Sequence, residues 1–384
     1  MIRALVSLYI VTAIIGCGKP IDKSYKTLIN NLREQTGIIE LSTNNGNSRL
    51  IVSPFHQGKI LASTNRGLEA DYIGWVNKEA VEDTSKGKDI GGEERLWLAP
   101  LGSQYSFYYR QIKPLHEDNW LVPNAMADVA YEVESIEESS VSMSKTMQLT
   151  NFIGTVFNFK VDRNIKLFTT ETITDLLKFP LSSTTHTIGY ETKHKLTNLD
   201  TVPWTKQTGL VGLWSAGMFQ GADDAVVIIP IKNNADIDDI YEYFDPLDAT
   251  RLQLKNNTLL FKGDAKHWSK IGVPPQFAPD IFGAYIPSKQ RLTIVTYKKE
   301  NDSLYSNSFV EVMREPYKGE AIPIYNHWED FFELESNAPL KELQPNETTS
   351  HWHRVYHFSD SEAELNKIAK RFLGVDLNKC NFIL

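Results

Sequence analysis

Between residues 141 and 149 the chain alternates without a break. Val141, Met143, Lys145, Met147 and Leu149 fall on one side, with Ser142, Ser144, Thr146 and Gln148 on the other. Successive side chains of a strand point to opposite faces, so a period of two marks a half-buried strand and rules out a helix. Such a strand must lay its apolar face on another layer. Similar runs recur. Ile38 to Leu41 and Arg49 to Val52 flank the turn Asn44-Asn45-Gly46-Asn47. Further strands are expected at Lys59 to Thr64, Phe157 to Val161, Lys193 to Asn198, Thr258 to Lys262, Arg291 to Tyr297, Phe331 to Ser336 and His351 to Phe358. Ala225 to Pro230 is apolar throughout, as expected of a strand buried on both faces. This density of strands predicts an all-β fold, a large antiparallel β-sandwich of two packed sheets.

Short helices are expected only near the ends. Ser24 can cap a helix running to about Leu32, with Leu28 and Leu32 one turn apart. Ser361 and Glu364 form a capping-box pattern before the apolar stripe Leu365, Ile368, Ala369, Phe372, and Gly374 sits where a C-cap belongs. No repeat, low-complexity segment or Pro/Gly-rich linker divides the chain. Residues 37–384 read as one sandwich domain, because β-sandwiches run longer than the usual domain length.

The first residues carry an export signal. Arg3 precedes an apolar run from Ala4 to Ile15, too short to span a bilayer comfortably. The run ends Ile14-Ile15-Gly16-Cys17, which resembles a bacterial lipobox. Residues 1–16 then read as a signal peptide and 17–36 as a lipidated tether and short helix. The alternative is an ordinary signal peptide or a buried N-terminal strand. Acylation of Cys17 with several chains would hold the protein stably on a membrane. Nothing at Gly18 or Lys19 resembles an inner-membrane retention signal, so the outer membrane is the expected address. Cys380 is the only other cysteine, and a lipidated Cys17 leaves it without an intrachain partner.

The net charge of −8 is spread along the chain with no basic run, which argues against nucleic acid or an anionic membrane surface as a partner. No phosphate-binding loop, nucleophile elbow or cysteine-nucleophile pattern occurs, and no cofactor is called for. The oligomeric state is not legible.

Three stretches, in order, resemble the galactose-mutarotase-like superfamily, which includes the aldose 1-epimerases. Gly91-Gly92-Glu93-Glu94-Arg95-Leu96-Trp97-Leu98-Ala99-Pro100 resembles a Gly-Gly-x-Arg-Leu-Trp-x-Ala-Pro element of bacterial members. His194-Lys195-Leu196-Thr197-Asn198-Leu199 is similar to the His-x-x-x-Asn-Leu strand whose His is the general acid. Leu334-Glu335-Ser336-Asn337 resembles the segment whose Glu is the general base, and Pro345-Asn346-Glu347 stands where that family has a Pro-Gly-Glu turn. Asn tolerates the positive φ that Gly would adopt there. The resemblance spans most of residues 37–384 and implies a carbohydrate ligand. It implies Glu335 as base and His194 as acid, with Arg95 and Trp97 as substrate-binding residues.

That chemistry is sound in principle. Anomer exchange needs a base on the anomeric hydroxyl and an acid on the ring oxygen. Glu333 and Glu335 share one face of their strand, and Asn337 continues it. Two carboxylates on an apolar strand must line a cavity or face solvent, since an unpaired buried charge is costly. Glu333, Asn337 and the loop residue Asp224 complete the expected sugar contacts. The alternative for His194 is an exposed residue between Lys193 and Lys195, and for Arg95 a salt bridge to Glu93 or Glu94. Two departures stand out. The epimerases carry another His between the Arg element and the His-Asn-Leu strand, whereas His116 and His186 here lie outside any matching motif. The family's Gln is Asn337 here.

His351, His353 and His357 share one strand face, a pattern that can hold Zn²⁺, form a polar cavity wall or lie on a solvated edge. The third lies about 13 Å from the second, too far for direct shared ligation, and no metal site is expected. Asp223 and Asp224 suit the lip of a sugar site, a Ca²⁺ ligand set or a solvated turn. The expected function is carbohydrate binding, with an epimerase-like isomerase activity if catalytic. One rival is a glycan-binding or accessory lipoprotein without catalysis. The other is a glycoside-cleaving enzyme pairing Glu93 or Glu94 with Glu333 or Glu335 across about 5 to 9.5 Å.

Overall fold

The structure, a computed structural model, describes residues 23–35, 37–82, 89–109, 115–127, 130–300 and 303–380. Cys17 and the signal segment lie outside them. The alternating run becomes β6 (Ser140–Thr150), whose odd-numbered residues from Val141 to Leu149 are buried. It belongs to a ten-stranded sheet in the order β12 (Leu252–Lys255), β13 (Thr258–Lys262), β10 (Val226–Pro230), β15 (Ile281–Ile286), β16 (Arg291–Tyr297), β19 (Thr348–Ser359), β8 (His186–Asn198), β7 (Val156–Phe168), β6 and β5 (Glu132–Glu137). A six-stranded sheet packs on it, in the order β11 (Tyr241–Phe244), β14 (Ser269–Val273), β17 (Ile322–Asn326), β18 (Phe331–Asn337), β9 (Gly212–Gln220) and β4 (Arg95–Ala99). A small third sheet holds β1 (Ile39–Thr43), β2 (Ser48–Ser53) and β3 (Lys59–Thr64). The strand pairings in all three are antiparallel.

The main core lies between the two large sheets, where Leu213, Phe332 and Leu334 meet Leu196, Val295 and Val355. The opposite face of the ten-stranded sheet is covered by two helices, α4 (Thr170–Leu177) and α5 (Glu362–Phe372), through Ile173, Leu365 and Ile368 packed on Ile228, Ile294 and Phe358. The helix α1 (Tyr25–Gln35) sets Leu28, Ile29 and Leu32 against Ile51, Leu61 and Ala62. The single-turn helices α2 (Lys78–Glu82) and α3 (Asn124–Ala127) lie in the connections that flank β4.

Local chemistry sets the ends of these elements. Ser24 Oγ accepts from the Thr27 amide at 3.2 Å and Ser361 Oγ from the Glu364 amide at 3.4 Å. Each cap is worth about 1 kcal/mol. Asn346 adopts φ 65°, as the turn before β19 requires. Several elements were not anticipated, among them β5, β9, β11, β12, β14, β15, β17 and α4. β9 is buried on both faces and reads as apolar with no period, and α4 is short, its N-terminus capped by Thr169.

Candidate functional site

Strand register sorts the charged residues onto the two faces of the six-stranded sheet. Arg95 and Glu335 both pair with Ala216, and Trp97 and Asn337 both pair with Trp214. Glu333 pairs with Met218 on one side and Tyr325 on the other, and Tyr325 pairs with Lys270. Arg95, Trp97, Trp214, Lys270, Tyr325, Glu333, Glu335 and Asn337 therefore share the outer face, turned away from the larger sheet. The intervening residues Leu96, Ser215, Leu334 and Ser336 point inward.

On the outer face, Glu335 is fully buried and receives Lys270 Nζ at 2.9 Å on both oxygens and Trp214 Nε1 at 2.7 Å. The Lys270 ammonium sits 4.8 Å from the Trp214 ring centroid. Glu333 accepts from Arg95 Nη2 at 2.9 Å, and Arg95 Nη1 reaches Asp89 at 2.9 Å, which also binds Lys59 at 2.6 Å. Burial pushes the Glu333 carboxyl up to about 7; Arg95 opposes that rise and Glu335 adds to it. The Arg95 guanidinium lies 4.2 Å from the Trp97 ring centroid, a cation–π contact. Trp97 stacks on Tyr108 at 5.0 Å and 13°, and Tyr108 stacks on Trp120 at 5.0 Å and 7°. Among the described residues, Arg95 Nε, Trp97 Nε1 and Asn337 Oδ1 are buried on this face with no hydrogen-bond partner. Buried polar atoms are nearly always partnered, so such a group needs an explanation.

Gly91 explains the start of the Gly-Gly element. It adopts φ 83°, and a Cβ there would stand 2.6 Å from Trp75. Only glycine lets the chain turn this closely into β4.

The inward side holds a second polar cluster. Glu94 is ion-paired with Arg163 and accepts from Thr192 Oγ1 at 3.2 Å. His194 lies 3.6 Å from Glu94 and 3.3 Å from Ser215 Oγ. Ser336 Oγ contacts His351 Nε2 at 2.9 Å and His353 Nδ1 at 2.8 Å. Glu93 accepts from His357 Nε2 and Ser63 Oγ, at 3.0 and 2.9 Å. Burial holds His194 below its usual range, with Glu94 opposing and Arg163 assisting. Burial likewise depresses His351 strongly and takes His353 to about 4. For Glu94, burial favours the neutral acid, but Arg163 and His194 outweigh it and keep the carboxylate ionised.

This placement corrects several expectations. His194 does not stand across a groove from Glu335. It is fully buried between the sheets, on the other side of the strands that carry Glu335. Its parity on β8 was legible, but its strand's facing partner was not. Glu93 and Glu94 also face inward, so neither shares a cleft with Glu333 or Glu335. Arg95 binds Glu333 and Asp89 instead of Glu93 or Glu94. Asp224 lies at the far end of the larger sheet, where it caps Ser288 at 2.6 and 2.9 Å and lines a separate cavity of about 400 Å³. Asn337 keeps its place on the outer face, its amide donating to the Glu320 carbonyl at 3.0 Å. The histidines of β19 form a polar wall, and no group of three His, Cys, Asp or Glu suited to a metal occurs among the described residues. Lys59, Asp89, Trp214 and Lys270 were missed; they lie far apart in sequence, and strand register brings Trp214 and Lys270 to Glu335, while side-chain ion pairs join Asp89 and Lys59 to Arg95.

A family model matches residues 23–384. The chain belongs to DUF6786, a family of unknown function. A search of curated proteins gave no match. Among solved structures, this DUF6786 chain resembles the Slr1438 protein of Synechocystis sp. PCC 6803, at TM-score 0.51 and 12% identity over 85% of this chain and 97% of that one. It also resembles a proposed aldose 1-epimerase of Escherichia coli K12, at TM-score 0.50 and 13% identity over 84% and 98%. A galactose mutarotase-like protein of Lactobacillus casei ATCC 334 matches at TM-score 0.48 and 11% identity over 84% and 100%. The fold of the DUF6786 chain is the galactose-mutarotase-like β-sandwich.

Proposed function

We propose that this DUF6786 protein binds a carbohydrate on the outer face of its six-stranded sheet and does so without a Glu335–His194 acid–base pair. The observation that carries the reading is the set of buried, unpartnered polar atoms on Arg95, Trp97 and Asn337 beside stacked aromatic rings. Sugars offer both hydroxyls for such atoms and apolar C–H faces for rings. Lys270 and Trp214 fix the Glu335 carboxylate as an acceptor. The name of the E. coli neighbour supports a sugar ligand by analogy of fold.

A catalytic reading rests on Glu333. Its raised pKa leaves part of it protonated at neutral pH, on the same face as Glu335. Calorimetry against a panel of aldoses, with polarimetry on those that bind, separates the readings. Binding without accelerated anomer exchange supports ours. Accelerated exchange that is lost in Glu333→Gln favours the catalytic one. Binding that survives Trp97→Ala in the folded protein places the ligand elsewhere.

We also propose that the protein is exported and anchored through Cys17, at the outer membrane, which would put this face where glycan fragments occur. The apolar run before Gly16-Cys17 supports this. Among the described residues, no helix is long and apolar enough to cross a membrane. Incorporation of labelled fatty acid into wild type but not Cys17→Ala is the expected result.

A further inference from the structure

Six aromatic rings close into a circuit beside the outer-face site. Phe331 meets Tyr325 at 6.0 Å, and Tyr325 meets Phe244 at 6.0 Å. Phe244 stacks on Trp268 at 4.4 Å and 11°, and Trp268 meets Trp328 edge-on at 5.5 Å and 90°. Trp328 stacks on His327 at 4.5 Å, and His327 stacks back on Phe331 at 4.8 Å. Rings of this kind normally fill a core. Here Phe244 is 39% exposed and Trp328 is 48% exposed. Contiguous exposed apolar area on a folded protein marks an interaction site.

Phe244 also has φ 67°, in the left-handed region that bulky side chains avoid. The β11 edge therefore ends in a conformation that Gly or Asn would adopt more readily, with an aromatic ring held outward on Trp268. Such outliers persist where surrounding structure enforces them, and they cluster at binding sites.

The circuit is continuous with the outer-face site. Tyr325 pairs in register with both Glu333 and Lys270, and Trp268 lies two residues before Lys270 on the same face. A ligand leaving the Glu333–Glu335 region past Tyr325 would run onto these rings.

We infer that the ring circuit is a second subsite, and that the ligand is an oligosaccharide, with one unit at Arg95, Glu333 and Glu335 and further sugar rings stacked on Phe244, Trp268 and Trp328. The inference rests on the carbohydrate reading of the outer face and names its substrate class. Each additional pyranose offers an apolar face to an exposed ring, while its hydroxyls stay in water.

The test is calorimetry with neutral hexose oligosaccharides of one to six units, on the full chain and on Trp328→Ala, with thermal melts of both. Affinity is expected to rise about tenfold or more between one unit and four. Trp328→Ala should erase that gain and leave the single-unit Kd unchanged, with a cooperative melt that shows the variant is folded. A Kd independent of length, or a gain that survives Trp328→Ala, overturns the second subsite while leaving the first standing. A change in sedimentation instead of in length dependence overturns it in favour of a face between two copies of the chain. Failure of any sugar to bind removes the outer-face reading itself, and the second subsite with it.

Discussion

The two faces of the six-stranded sheet are both rich in charge, and they differ in what closes them. On the inner face Glu94, Arg163 and His194 are fully buried, and the packing of the larger sheet seals them from water. On the outer face the same density of charge ends in half-exposed Asp89 and exposed Trp120. Chain neighbours divide between them: Glu94 points in and Arg95 out, Ser336 in and Glu335 out. A buried polar cluster thus specifies how two sheets meet when it is enclosed, and can recognise a ligand when it has a rim. Separate variants should decouple these roles.

The largest effect is expected from Arg163→Met. It leaves the Glu94 carboxylate without its main partner, and breaking a buried pair typically costs about 3–5 kcal/mol. Urea denaturation should report that loss, with sugar affinity per folded molecule unchanged. Adding Glu94→Gln should restore much of it. A single-variant cost below about 1 kcal/mol would break the comparison, because the inner cluster would then not be a closed structural unit.

Acid should act next. His353 is held near 4 when folded, against a usual value of 6.5, and His194 and His351 are also depressed. Below 6.5 the unfolded chain takes up protons that the folded chain refuses. Stability therefore falls as pH drops from 6.5 towards 4, by roughly 3 kcal/mol for His353 alone. Urea midpoints across that range should show the decline, and His353→Gln should reduce it.

Glu333 on the outer face works in the opposite direction. Its folded carboxyl is held near 7, above its usual 4.5. Between those values the folded chain keeps a proton that the unfolded chain has lost. Its contribution is complete below 4.5 and is lost as pH rises through 7. One group acts here instead of three, so the slope is shallower. Glu333→Gln should flatten stability between pH 5 and 8 and move the optimum upwards. An unchanged profile would mean that Glu333 ionises as readily folded as unfolded.

Much of this division was written in the sequence. The period of two in Phe331 to Asn337 put Glu333, Glu335 and Asn337 on one face. The strand at 59–64 was legible to its ends because short turns bound it. Parity says which residues share a face, however, and never which layer that face meets. His194 shows the limit. The resemblance implied a groove for His194 and its two flanking lysines an exposed site, yet it is buried, and its actual neighbours, Arg163 and Glu94, are set by strand pairing and sheet packing over distances of 31 and 100 residues in the chain. Lys270 is another case. It sits on an unremarked strand, and only two intervening pairings bring it to Glu335. Asp224 was misplaced because an acidic pair at a loop end has the same composition whether it rims a site or caps a turn.

The smallest stability effect should come from the outermost ring of the stack. Trp120 is 40% exposed, so Trp120→Ala removes little area from the core. Its stacking on Tyr108 is worth about 0.5–1.5 kcal/mol at most. If the outer face is a recognition surface, the same variant should weaken sugar binding several-fold, because the stack under the Trp97 indole then loses its outer ring and keeps only Tyr108. Arg163→Met should do the reverse, lowering stability and sparing affinity. Measuring both quantities for both variants tests the comparison directly. Parallel losses of stability and affinity in each variant would mean that the two faces form one cooperative unit, and that the charge on the outer face serves the sheet more than a ligand.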